Sequence, residues 1–315
     1  MQHSTRRNRP TPDLLTIAAA MLCLLAAACG GESATSSTIS AEPTPSPTIA
    51  PTPAPTGITY VIEAPTPLTR DGWTVRPLGL ITPSAAGLAE SFAGQVGVAV
   101  AVPSRGIVYT LNGDLRFEAL NVAKVPIMLA ILEQAAASGR PLSGLDLALL
   151  EGMITESDNL AADTLWIRAG GSKGIHATLA AAGFADFRLD DDAWGESRLD
   201  AEHTATLLAA LVDGTGLHAE TRRIALDLMA RVVPWQAWGA SSGLPGGTTY
   251  GAKNGWYLED EGWALHTSGF VLPQNGEPYT LAIYSLGGRS YFPARAEIET
   301  LAAALHAEVM ARLSD

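Results

Sequence analysis

Phe117-Glu118-Ala119-Leu120-Asn121-Val122-Ala123-Lys124-Val125-Pro126-Ile127-Met128-Leu129-Ala130-Ile131-Leu132 is the segment around which the chain organises. Val122, Val125, Ile127, Met128, Leu129, Ile131 and Leu132 leave the helix that starts near Asn121 apolar almost all round. Such a helix belongs in the centre of a domain. Ser138-Gly139 stops it. Asn121 is a good helix-starting residue, and Lys124 follows it by one turn on the same face.

Upstream, residues 96–102 and 107–111 read as strands joined by the turn Pro103-Ser104-Arg105-Gly106. Downstream, helical periodicity runs through residues 159–169, 173–182, 201–212 and 220–232, with Asp200 as an N-cap for the third. Strands return at 249–256, 263–271 and 279–285, the last two separated by Gln274-Asn275-Gly276. A helix over 295–313 closes the chain. Strands at both ends with helices between them predict an α/β fold in two lobes. Its antiparallel sheet is built from both ends of the domain, an all-α lobe is inserted, and a cleft lies between the lobes.

Of the 315 residues, 32 are acidic and 20 basic, a net charge of −12 that opposes nucleic-acid binding. The two cysteines, Cys23 and Cys29, both precede the folded part, which therefore has neither a disulfide nor a thiolate metal site. The six histidines show no metal-ligand spacing, and no cofactor or metal is expected. Gly170-Gly171-Ser172-Lys173-Gly174 lacks phosphate-loop spacing and is explained by helix capping.

Residues 1–29 read as a targeting segment. Arg6, Arg7 and Arg9 precede an apolar stretch that ends in Leu25-Ala26-Ala27-Ala28-Cys29. Small residues before a cysteine resemble a bacterial lipoprotein signal, with Cys29 lipidated, although position −3 is Ala26 and not leucine. An ordinary secretory signal cleaved nearby is the alternative. Residues 30–58 form a Pro/Thr/Ser-rich tether that cannot bury a core. The expected arrangement is an extracytoplasmic domain over 59–315, bound to a membrane by its lipid anchor only.

Three motifs stand in order: Asn121-x-x-Lys124 at the buried helix start, Ser157-Asp158-Asn159 between two helical stretches, and Lys253-Asn254-Gly255 on a strand before a hairpin. Together with Phe117-Glu118-Ala119-Leu120 and Leu244-Pro245-Gly246-Gly247, they resemble the class A β-lactamase and penicillin-binding-protein superfamily. Its signature is S-x-x-K, S-D-N and K-T-G. The resemblance covers residues 80–315. It implies β-lactam hydrolysis through a serine acyl-enzyme, with Lys124, Ser157, Asn159 and Lys253 in the catalytic positions. It also implies an oxyanion hole made by the backbone N–H groups of Asn121 and Trp256. Gly255 is expected to let the strand approach a ligand closely.

Three departures shape the functional expectation. Asn121 stands at the nucleophile position, and a carboxamide offers no hydroxyl for Lys124 to deprotonate. The stretch from Arg188 to Ser197 lacks the Glu-x-x-Leu-Asn pattern that activates water in the family, leaving Asp191, Asp192 and Glu196 as carboxylates without an assigned role. Asn254 replaces threonine, which removes a hydroxyl from the site for a ligand carboxylate; Asn254, Gly255 and Trp256 are the candidate ligand-binding residues. Trp235, Trp238, Trp256 and Trp263 fall near the third motif and are candidates for a groove or for packing. The expected function is therefore that of a catalytically impaired relative that binds a small-molecule, peptide or peptidoglycan-type ligand. The alternative is an active hydrolase that uses Ser157 as a non-standard nucleophile.

Overall fold

The computed structural model describes residues 68–70 and 72–314. The signal segment with Cys29 and the 30–58 tether lie outside the described residues. The main sheet has seven strands: β1 (Leu68–Arg70), β2 (Trp73–Pro77), β3 (Gln95–Val102), β4 (Ile107–Leu111), β7 (Thr249–Glu259), β8 (Gly262–Leu272) and β9 (Tyr279–Gly288). Their spatial order is β1-β2-β4-β3-β9-β8-β7, so strands from the two ends meet at the β3–β9 pair and β7 is an edge. Two further strands, β5 (Phe117–Glu118) and β6 (Arg198–Leu199), pair separately.

Eight α-helices complete the described part: α1 (Pro83–Glu90), α2 (Lys124–Ser138), α3 (Gly144–Glu151), α4 (Asn159–Arg168), α5 (Gly171–Ala181), α6 (Ala201–Asp213), α7 (Ala219–Ala230) and α8 (Tyr291–Leu313). α1 and α8 pack on one face of the sheet around Val98, Val100, Leu281 and Leu301. The helical lobe packs on the other face, through α6 against β3 and β9. Lys124 to Glu133 are all buried, which makes α2 the central helix of that lobe.

The predicted two-lobe α/β architecture is present, with three differences. The sheet is not wholly antiparallel, because β2 pairs with β4 in parallel. β1, β2, α1 and α3 were absent from the sequence reading; the two strands are only three and five residues long and carry no clear alternation. α8 begins at Tyr291, before Pro293, because proline is tolerated in a first helical turn.

The start of α2 also differs from an ordinary capped helix. Leu120–Ala123 forms a 3₁₀ turn, the N-cap positions of that turn and of α2 fall on Ala119 and Ala123, and no side chain accepts a capping hydrogen bond at either. Leu120 has φ +49°, one of three non-glycine residues at positive φ among those described; Ser157 is another. Left-handed backbone at a side-chain-bearing residue costs about 1 kcal/mol or more and persists where the surrounding structure over-determines it. Two of these three positions flank the same cleft.

Candidate functional site

Lys124 and Lys253 reach Ser157 from opposite sides. The Lys124 Nζ lies 3.2 Å from the Ser157 Oγ and the Lys253 Nζ lies 2.9 Å from it. Lys124 also donates to the Ser157 carbonyl and to Asn159 Oδ1, each at 2.7 Å. Those two partners accept only, so they engage two Lys124 protons in either charge state. The remaining position faces the hydroxyl. It donates when Lys124 is an ammonium and accepts the serine proton when Lys124 is a neutral amine. Lys253 donates in addition to its neighbour's carbonyl, Asn254 O, at 3.1 Å.

Each group is positioned by its local structure. A π-helical stretch, Gly152–Glu156, ends in left-handed Ser157 and aims the hydroxyl between the lysines. Asp158, not Ser157, caps α4 by accepting from Ala161 N–H at 3.0 Å. β5 is anchored by buried His266, whose Nε2 lies 2.8 Å from the Glu118 carbonyl and whose Nδ1 accepts from Ser285 N–H. Burial pushes His266 down to about 4, so it stays neutral in that role.

Both lysines are essentially inaccessible, at 0% and 1% exposure. Burial lowers Lys124 to about 7, opposed by the nearby carboxylates of Asp158 and Asp163. Burial also holds Lys253 well below its ordinary range, and the positive charge on Lys124 adds to that. Two buried amines that resist charging are thus joined through one hydroxyl.

Strand alternation sorts the third motif. Lys253 and Gly255 face the helical lobe. A Cβ on Gly255 would stand 2.9 Å from the Asn121 backbone nitrogen and 2.9 Å from Leu120 Cβ, so only glycine lets β7 lie against the start of α2. Gly255→Ala is expected to cost about 1–3 kcal/mol by overpacking. A thermal melt checks this, and an unchanged Tm would contradict the close approach.

Asn254 and Trp256 point to the other face, which corrects the expectation that their side chains bind ligand. Asn254 is 1% exposed and donates through Nδ2 to the carbonyls of Gln236 and Trp238, at 2.7 and 3.1 Å. Gln236 in turn donates to the Glu156 carbonyl at 2.6 Å. Asn254 thus ties Lys253's strand to the loop that carries Ser157. The Trp256 ring packs between Trp238 and Tyr291, with centroids at 6.0 and 6.3 Å, leaving only its backbone to serve the cleft. Trp263 joins the same cluster on Tyr291, whereas Trp235 is largely exposed.

Asn121 is half-buried at the helix start and has no side-chain hydrogen bond among the described residues. The stretch after Arg188 turns its acids elsewhere. Ser172 donates to Asp191, Asp190 accepts from the Asp192 and Ala193 N–H groups, and Glu196 is exposed. The side chain this loop sends to the site is Trp194. Its ring centroid lies 5.1 Å from the Lys124 Nζ, and its Nε1–H donates to Asp163 at 2.7 Å. Sequence reasoning missed Trp194 and Asp163, because neither belongs to a motif with fixed spacing. Among the described residues no group of three or more His, Cys, Asp or Glu is placed to hold a metal ion.

A model of the β-lactamase enzyme family matches residues 143–309, just over half of the chain. Among solved structures, a variant of the last common ancestor of Gram-negative bacterial class A β-lactamases, bound to a nitrobenzotriazole, aligns with TM-score 0.64 and 23% identity. That alignment covers 74% of this chain and 99% of that one. The β-lactamase from Streptosporangium roseum aligns with TM-score 0.62 and 22% identity over 73% and 98% of the two chains. A mutant of the chromosome-encoded β-lactamase of Vibrio parahaemolyticus gives 0.60 and 17% over 72% and 98%. No curated protein matches by sequence. The solved structures share the class A fold, and with the family match over most of the helical lobe and the closing strands, this chain belongs to the β-lactamase enzyme family.

Proposed function

We propose that this β-lactamase-family protein holds a β-lactam-like or peptidoglycan-peptide ligand in its cleft and does not form the acyl intermediate of its active relatives. The observation that carries this reading is the intact set of Lys124, Ser157, Asn159 and Lys253, joined at 2.7–3.2 Å beside an Asn121 that lacks a hydroxyl. The Ser157 hydroxyl, held by two buried amines, remains to meet a carboxylate or an amide. Backbone N–H groups of Asn121 and Trp256 remain to meet a carbonyl oxygen. Lipidation at Cys29 would hold the domain outside the cytoplasm, near the cell wall. Palmitate labelling that persists in Cys29→Ser would overturn that placement.

Thermal-shift titration of the full chain with an acyl-D-alanyl-D-alanine peptide and with penicillin tests the binding. A saturable rise in Tm that is lost in Lys253→Met supports it; no shift with either ligand overturns it. A second reading rests on the Ser157 Oγ, which lies within 3.2 Å of two amines and is activated as a nucleophile would be. It predicts an acyl group on Ser157 after incubation with penicillin, located by peptide mass spectrometry.

A further inference from the structure

A count of protons and lone pairs decides what Ser157 can offer a ligand. A hydroxyl carries one proton and two lone pairs. An uncharged Lys124 has its two protons on the Ser157 carbonyl and the Asn159 side-chain oxygen, which only accept. Its lone pair therefore takes the Ser157 proton across 3.2 Å. Lys253 then donates to the same oxygen at 2.9 Å. One lone pair of the Ser157 Oγ is left. It accepts an N–H, and no proton remains for a carboxylate, whose oxygens only accept.

The surroundings supply no substitute for that proton. The Asn254 side chain is 1% exposed, and its Nδ2 donates to the Gln236 and Trp238 carbonyls on the far side of β7. The charged groups that act on Lys124 are the carboxylates of Asp158 and Asp163. A ligand carboxylate would add a third negative charge beside them. Asn121 offers a different kind of partner. Residues three apart in a 3₁₀ turn eclipse one another, which sets Asn121 on the Lys124 side of the helix start. Its carboxamide is half-buried and has no side-chain hydrogen bond among the described residues. It both donates and accepts, so it matches another carboxamide on two atoms and a carboxylate on donors alone.

We propose that the cleft is specific for a peptide that ends in an uncharged carboxamide, in preference to the same peptide with a free carboxylate: the Ser157 Oγ accepts the terminal N–H, and Asn121 is its second partner. This rests on the cleft binding a peptide-type ligand, as proposed above, and names which end group that ligand carries.

The test titrates the full chain with acyl-D-alanyl-D-alaninamide and with acyl-D-alanyl-D-alanine, two probes that differ only in the end group. Isothermal calorimetry at about pH 8.5 keeps Lys124 uncharged, since it titrates near 7. The amide is expected to bind about tenfold more tightly, the scale of one buried partner left unmet. Ser157→Ala removes the accepting oxygen and should reduce that ratio. An acid that binds as tightly as the amide, or more tightly, overturns the proposal on the native chain alone. A ratio unchanged in a folded Ser157→Ala chain overturns it as well. Binding of neither peptide is a separate result: it removes the peptide-binding reading of the cleft, and this proposal with it.

Discussion

Asn121→Ser is expected to convert this chain into one that penicillin acylates, at a rate roughly 10⁶-fold above the native background, the scale on which a serine hydrolase depends on its nucleophile. That factor corresponds to roughly 8 kcal/mol of barrier, far beyond what a neighbouring contact supplies. The expectation rests on parts already in place. An introduced hydroxyl would stand one turn before Lys124, an amine lowered to about 7 and so available as a base near neutrality. Ser157 bridges Lys124 to Lys253 and completes a route for the proton to a leaving nitrogen. Gly255 brings β7 against the Asn121 backbone nitrogen, where a carbonyl oxygen would be stabilised. Fluorescent penicillin on a gel, with intact mass as the quantitative readout, measures the effect. A folded Asn121→Ser chain that takes up no label would show that more than the nucleophile has been lost.

Folding stability is expected to rise as the pH increases from about 7 toward 10. Lys124 titrates near 7 in the folded chain and in the ordinary lysine range when unfolded. Burial holds Lys253 well below its ordinary range as well. Between the folded and unfolded values the unfolded state binds more protons, so stability increases with pH there. The stabilising contribution is complete above the unfolded value and is lost as pH falls through the folded one. Each lysine adds at most about 1.4 kcal/mol per pH unit, which gives about 3 kcal/mol from Lys124 alone between pH 7 and 9.5. Urea unfolding across that range measures it. Lys124→Met should remove its share of the slope while leaving that of Lys253. An identical slope in native and Lys124→Met chains would contradict the assignment.

Much of this arrangement was legible in the sequence. α2 was readable because an apolar run without a polar face has no place but a core. β7, β8 and β9 were readable from residue type, length and bounding turns. The three motifs gave Lys124, Ser157 and Lys253, and the structure brings all three together. The inward turn of Asn254 and Trp256 was implicit in period-two alternation, since Lys253 and Gly255 already claim the cleft face. Trp194 was not legible. It lies in an acidic loop with no periodicity, and its contact with Lys124 depends on how residues 188–197 cross the helix start. Nor was the left-handed backbone at Leu120 and Ser157, which local sequence does not favour and tertiary contacts impose.

Intact mass spectrometry of the native chain after prolonged exposure to penicillin tests the separation of binding from acylation most directly, with a parallel thermal-shift measurement on the same sample. Retained binding with an unchanged mass is the predicted result. A native chain that gains the mass of the opened drug, on Ser157 or any other residue, would contradict it.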